Sequence, residues 1–188
     1  MSSPDCPTRV MYMDYTGAGG RAARSLELLI RNLPAGSVEA FLLTPAGPKV
    51  GAFREAGVEV ITIPAMMNLR SVVGVPLQGM RWLTVIHALG CLRHGKRVRD
   101  AIRQVRPDLV HLNEQGMYQA AWLCWQMGIP VVAHARSIAD RGNRLLEKIR
   151  TRFAKCVNTA IAIDESVRLS LVDFHECHVI YDPVSLDL

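Results

Sequence analysis

A single α/β domain, built on a mostly parallel sheet of about seven strands with helices on both faces, is the fold this chain predicts. Three observations carry the expectation. Short apolar runs alternate with helical patterns from one end to the other, as in successive βα units. Strand candidates such as Ile129 to Val132 are continuously apolar, which suits burial on both sheet faces. The chain has 188 residues, 49% of them hydrophobic, which fits one domain with a sizeable core.

The elements follow in order. "RVMYMDY" (9–15) reads as a buried strand. "RAARSLELLIRNL" (21–33) places Ala22, Leu26, Leu29 and Leu33 on one helical face. "EAFLLT" (39–44) is a second strand, stopped by "PAGP". A short helix over 48–56 ends at Gly57, and "VEVITI" (58–63) is a third strand, stopped by Pro64. "PDLVHLN" (107–113) is a fourth. Residues 116–127 are apolar nearly all round, the pattern of a buried helix. "IPVVAHA" (129–135) is a fifth strand and "NRLLEKIRTRFAKC" (143–156) an amphipathic helix. "TAIAID" (159–164), "ESVRLSLVDF" (165–174) and "CHVIYD" (177–182) complete the pattern as strand, helix and strand. In such sheets ligands bind outside the carboxyl ends of the strands, so the residues ending each strand are the ones to watch.

One connection is longer than the rest. Residues 65–106 open as a loop to Gly79 and then turn helical. Trp82, Ile86 and Leu89 form one apolar line; Val98, Ile102 and Val105 form another, displaced by about half a turn. Gly90 and Gly95 lie between them, so a bend or two helices is expected.

Composition narrows the function. No run of eighteen apolar residues exists to span a membrane, and the N-terminus has no apolar signal segment. A cytoplasmic location is therefore expected, with a peripheral position on the inner face of the plasma membrane as its variant. Cys6, Cys91, Cys124, Cys156 and Cys177 are odd in number and widely spaced, so no disulfide framework, zinc site or other metal is expected. Cys124 falls in an apolar helix and reads as core. The net charge is +5, but residues 70–106 hold eight Arg or Lys against Asp100 alone. That segment is +7 and leaves the remainder at −2, so its partner should be local too.

The loop "YTGAGGRAARSLELL" (15–29) has two readings. Gly17, Gly19 and Ala22 match G-x-G-x-x-A, a dinucleotide fingerprint. Against it, Asp14, Tyr15 and Thr16 separate the strand from the first glycine, and the second strand ends in Thr44 where an acid should hold a ribose. The other reading is a phosphate site. Gly19 and Gly20 allow close backbone approach, the helix N-terminus supplies N–H groups and dipole, and Arg21 and Arg24 add charge.

Five stretches together resemble the N-terminal domain of the GT-B glycosyltransferases, family 4 in particular. "GAGGRAARSLELLIRNL" resembles that family's glycine loop and first helix, and "RPDLVHLN" its fourth strand. "IPVVAHARS" is similar to its fifth strand, which ends in a histidine; "TAIAIDESVRLSLVDF" and "HVIYDPVSLDL" resemble the last strand–helix pair and the domain exit. At that exit Asp182 and Pro183 stand where the family has Asn-Gly, and Asp164 replaces a serine. The resemblance covers nearly the whole chain and implies a Rossmann-like domain, residues 1–188, that binds the acceptor. It also implies a C-terminal nucleotide-sugar-binding domain absent from this chain, without which the fragment should be inactive.

The implied reaction is retaining transfer from a nucleotide-sugar to a hydroxyl of a glycan or lipid-linked acceptor. Leaving-group charge would be stabilised by basic groups and helix N-termini, with no further cofactor. By resemblance His134 is the catalytic residue, bonding the transferred sugar; an imidazole donates or accepts near neutral pH. Donor-phosphate or acceptor binding is expected from Gly17, Gly19, Gly20, Arg21, Arg24, Arg136 and Ser137. Asn113 and Glu114 end the fourth strand and are expected at acceptor hydroxyls, Glu114 alternatively serving as a helix N-terminal acid. His111 reads as packed, and Asp164 as a helix cap. Asp14 reads as stabilising its loop, or as bonding Arg21 or an acceptor hydroxyl. Arg93, Lys96, Arg97 and Arg99 are expected to hold an anionic membrane surface, or else form a solvated face; no nucleic-acid motif is present. Two alternatives stand beside the transferase: a non-catalytic, membrane-recruiting subunit, and an NAD(P)-dependent oxidoreductase domain.

Overall fold

The computed structural model describes residues 6–66, 94–138 and 144–182. Seven strands form one sheet: β1 (Thr8–Met13), β2 (Val38–Pro45), β3 (Glu59–Ile63), β4 (Leu109–Leu112), β5 (Val131–Ala135), β6 (Thr159–Ala162) and β7 (Cys177–Val179). Their order is β3-β2-β1-β4-β5-β6-β7 and every pairing is parallel. Six helices are described: α1 (Arg21–Arg31), α2 (Val50–Glu55), α3 (94–105), α4 (Tyr118–Gln126), α5 (Arg144–Ala154) and α6 (Glu165–Ser170). From β1 the chain winds one way through β2 to β3, then returns to β4 and winds the other way. The switch point therefore lies between β1 and β4, where such sheets open a crevice for ligands.

Alternation along the strands sorts the core into layers. Val10, Tyr12 and Leu42 meet Leu26 and Ile30 of α1 and Phe53 of α2. Met11, Met13, Phe41 and Leu43 meet the opposite layer, including Val98, Ile102 and Val105 of α3, Ala120, Ala121 and Cys124 of α4, and Phe153 of α5. The Val98, Ile102 and Val105 line is thus buried as its spacing predicts, and Cys124 is core at 0% exposure. The preceding line, Trp82, Ile86 and Leu89, lies outside the described residues, as does Arg93.

Two expected helix faces are corrected. In α1 the buried apolar positions are Ala23, Leu26 and Ile30, with Leu29 and Leu33 only partly covered. The sheet-facing stripe is centred one position away from the expected Ala22 line, and a stripe about 100° wide takes in both. Helix α4 is not buried all round: Trp122 is 48% and Trp125 59% exposed. One face of a surface helix suffices to cover the sheet, so an apolar residue on the other face stays in water.

Candidate functional site

The ends of β1, β4 and β5 converge at the switch point. Asp14 follows β1, Asn113 follows β4, His134 lies near the end of β5 and Arg136 just beyond it. Backbone pairing fixes the alignment, with Tyr12 beside His111 and His111 beside Val132. The Asn113 N–H donates to the Met13 carbonyl at 2.9 Å and the Asp14 N–H to that of Leu43 at 3.0 Å. The strand ladder thus delivers these side chains to one edge.

Arg136 organises the cluster. Its Nε donates to the backbone and side-chain oxygens of Asn113 at 3.3 and 3.2 Å, and its Nη2 to Asn113 Oδ1 at 2.8 Å. Its Nη1 donates to Ser25 Oγ at 3.0 Å and to Asp182 Oδ1 at 2.5 Å. Asp182 Oδ1 also accepts from Ser25 Oγ at 2.7 Å. The Arg136 side chain is 7% exposed, so it is a buried hub and not a surface cation. Gln115 splices the two strand exits: its Oε1 accepts from Arg136 N, and its Nε2 donates to Ser137 O and Oγ at 2.7 and 3.0 Å.

Both histidines are buried at 5% exposure and stacked, with ring centroids 5.6 Å apart. Burial, reinforced by the Arg136 charge and opposed by Asp182, pulls His134 down to about 4. Burial, then the His134 and Arg136 charges, pulls His111 down to about 3. Both rings are neutral at pH 7. His134 Nδ1 lies 3.4 Å from Arg136 Nη2. A guanidinium only donates, so Nδ1 accepts and the ring proton sits on Nε2. Burial raises Asp14 to about 6 against the opposing effects of Asn113, Arg136 and the backbone N–H groups of Thr16 and Tyr15.

The sequence candidates divide accordingly. His134, Arg136, Asn113 and Ser137 come together, but Asn113 is 0% exposed and its amide also donates to Asp14 Oδ1 and Ala22 O at 3.4 and 3.3 Å. It braces the strand ends and does not present itself to an acceptor hydroxyl. Glu114 Oε1 accepts from the Gln115 N–H at 3.0 Å. Asp14 stabilises its loop, as one of its readings had it, and His111 is packed as expected. Asp164 caps α6, accepting from Val167 N at 2.7 Å.

At Gly17 the glycine loop is tightly packed. A Cβ on Gly17 would stand 2.2 Å from the Pro45 carbonyl oxygen, and one on Gly47 would stand 2.0 Å from Gly17 O. Gly17 thus brings the β1–α1 loop against the β2–α2 loop. Gly19 and Gly20 take φ of 93° and 117°, conformations that favour glycine. Arg21 and Arg24 are exposed beside them. Ser25, Gln115 and Asp182 are the members that sequence reading missed. The one cue was at Asp182, an acid where the family pattern has a neutral asparagine.

A doubly wound parallel sheet with a polar cluster at its switch point is a Rossmann-like architecture. The chain belongs to Glycosyltransferase Family 4, whose profile matches residues 19–188. No curated protein matches the sequence. Among solved structures, Anabaena Alr3699/HepE in complex with UDP and glucose shares the fold with a TM-score of 0.61 at 16% identity, over 95% of this chain and 45% of that one. A UGT transferase from Siraitia grosvenorii in complex with UDP gives 0.59 at 12% identity, over 96% and 52%. The UDP-GlcNAc 2-epimerase from Neisseria meningitidis, bound to UDP-GlcNAc, gives 0.52 at 13%, over 88% and 42%. The chain spans about half the length of these structures. An epimerase among them shows that the fold is shared across reactions.

Proposed function

We propose that this chain supplies the acceptor side of a retaining glycosyltransferase that moves a sugar from a nucleotide-sugar to a hydroxyl of a glycan or lipid-linked acceptor. One observation carries the reading: a family 4 chain gathers His134, Arg136, Ser25 and Asp182 at the carboxyl edge of its sheet, on the switch point. In this reading the nucleotide is held mainly by a second domain outside residues 1–188, and the bound sugar meets the edge of this one. His134 is neutral with its proton on Nε2, so it donates one hydrogen bond to the bound nucleotide-sugar and does not act as a cation. Arg136 and the α1 N-terminus offset negative charge that develops on the leaving diphosphate. The test is nucleoside-diphosphate release by the protein with its natural flanking sequence, over a panel of nucleotide-sugars and hydroxyl acceptors. His134→Ala should lower turnover at least a hundredfold with folding retained. Turnover per folded molecule unchanged by that substitution would remove His134 from the site.

The acceptor is read as membrane-linked because of one surface. Arg99 Nη2 donates to Gln126 Oε1 at 3.3 Å, so α3 lies alongside α4. Its Lys96, Arg97 and Arg103 are exposed next to a helix that presents Trp122 and Trp125 to solvent. On the other flank Trp125 shares a groove with Lys155. Indole rings between cationic side chains suit the headgroup layer of an anionic bilayer. Among the described residues no helix is long and apolar enough to cross a membrane. Co-sedimentation with anionic liposomes should fall by about tenfold for Trp122→Ser with Trp125→Ser, and also in high salt. Binding indifferent to both removes the membrane reading. Liposome binding with no transfer to any acceptor favours the recruiting subunit.

A further inference from the structure

Three hydrogen-bond donors converge on one carboxylate oxygen at the sheet edge, and only two are satisfied. Ser25 Oγ and Arg136 Nη1 reach Asp182 Oδ1 at 2.7 and 2.5 Å. His134 Nε2 stands 3.8 Å from the same oxygen, beyond hydrogen-bond range, and has no partner among the described residues although it is buried. A buried donor without an acceptor is unfavourable and rare in native proteins. The imbalance follows from the shape of the acceptor. One carboxylate oxygen cannot sit on all three donors, whereas a tetrahedral phosphate has oxygens on several sides.

The two halves of the contact are unlike. The His134 and Arg136 side chains are 7% exposed, but that of Asp182 is 34% exposed, and Asp182 follows β7 outside any helix or strand. Asp182 can therefore leave toward solvent without disturbing the sheet; the donors cannot. We propose that Ser25, His134 and Arg136 form a phosphate site, and that Asp182 occupies it as an internal carboxylate until a phosphoryl group replaces it. A diester-type phosphate, singly charged, replaces Asp182 charge for charge. A more highly charged group is disfavoured by Asp14, which reaches Arg136 through the Asn113 amide. The diphosphate of a nucleotide-sugar carries groups of the favoured kind. The proposal deepens the donor reading and rests on it only for the source of the phosphate.

The probe is dimethyl phosphate, titrated by NMR into the complete protein, with acetate as the planar control. Asp182→Asn should bind dimethyl phosphate at least tenfold more tightly than the unaltered protein, and acetate more weakly than the phosphate. Adding Arg136→Met should abolish the gain. The His134 Nε2 proton of the unaltered protein should move downfield as it acquires an acceptor, a readout that does not depend on any variant folding. Equal affinity with and without Asp182, acetate matching the phosphate, or a silent His134 resonance each overturns the site. A protein that transfers sugar but fails these titrations keeps the transferase reading and loses this one.

Discussion

Among the described residues, two arginines buried against aspartates form pairs of nearly equal geometry and unlike surroundings. Arg136 Nη1 meets Asp182 at 2.5 Å, and Arg150 Nε meets Asp173 at 2.5 Å. The second pair ties α5 to the loop leaving α6, and Thr151 Oγ1 adds a hydrogen bond to Asp173 at 2.9 Å. Its carboxylate is 16% exposed, against 34% for Asp182. The first pair stands on the strands' carboxyl ends, beside a histidine N–H with no acceptor among the described residues. The lesson is that a buried ion pair by itself does not mark a site. Its position in the sheet and an unsatisfied neighbour do.

The largest expected effect tests that lesson directly. Arg136→Met and Arg150→Met should each destabilise by about 3 kcal/mol: the first takes the Arg136 donor from both oxygens of buried Asn113, and the second leaves the Asp173 carboxylate without its arginine. Only Arg136→Met should also abolish transfer per folded molecule. Urea unfolding and turnover measured on both variants would falsify the comparison if the roles were exchanged.

Gly17→Ala comes next, at about 2 kcal/mol, since the added methyl meets the Pro45 carbonyl and not a flexible side chain. Because that loop carries Asp14 beside the first pair, its damage should appear in the Asn113 and Arg136 amide resonances and spare Arg150. Uniform disturbance of both regions would mean that the two are not independent.

The pH dependence is smaller and has a definite sign. Burial holds His111 near 3 and His134 near 4, below the ordinary 6.5. The unfolded chain therefore binds more protons between about pH 4 and 6.5, so this stability is present above that window and is lost as pH falls through it. Asp14, raised to about 6, works in the opposite direction, losing stability as pH rises from about 4 to 6. Two histidines against one aspartate leave a net rise of ~1.4 kcal/mol per pH unit. Urea midpoints between pH 4.5 and 7 should show it, and His111→Phe with His134→Phe should reverse the slope. A rise unchanged in that double variant would assign it to other groups.

The smallest effect belongs to a carboxylate with an ordinary role. Asp164→Ala removes the cap of α6 and should cost about 1 kcal/mol with no change in transfer. A loss of transfer would extend the site beyond the Arg136 cluster.

Much of this was legible locally. The βα alternation set the parallel sheet, because apolar periodicity is a property of neighbouring residues. Strand ends could be placed closely enough to single out His134 and Arg136, and the Asp164 cap and the Val98, Ile102 and Val105 line followed from spacing alone. What the sequence could not express is contact at a distance. Ser25 and Asp182 are 157 positions apart, and Arg136 lies 111 and 46 positions from them. Only the packing of α1 against β1 and β2 and the return of the chain past β7 join them. The same limit explains Asn113, chosen as a ligand group and found as a brace, and the two tryptophans of α4, which look buried by composition and stand in water. Periodicity states which residues share a face; tertiary packing decides which faces are covered and which polar groups find one another, because both depend on elements far away in the chain.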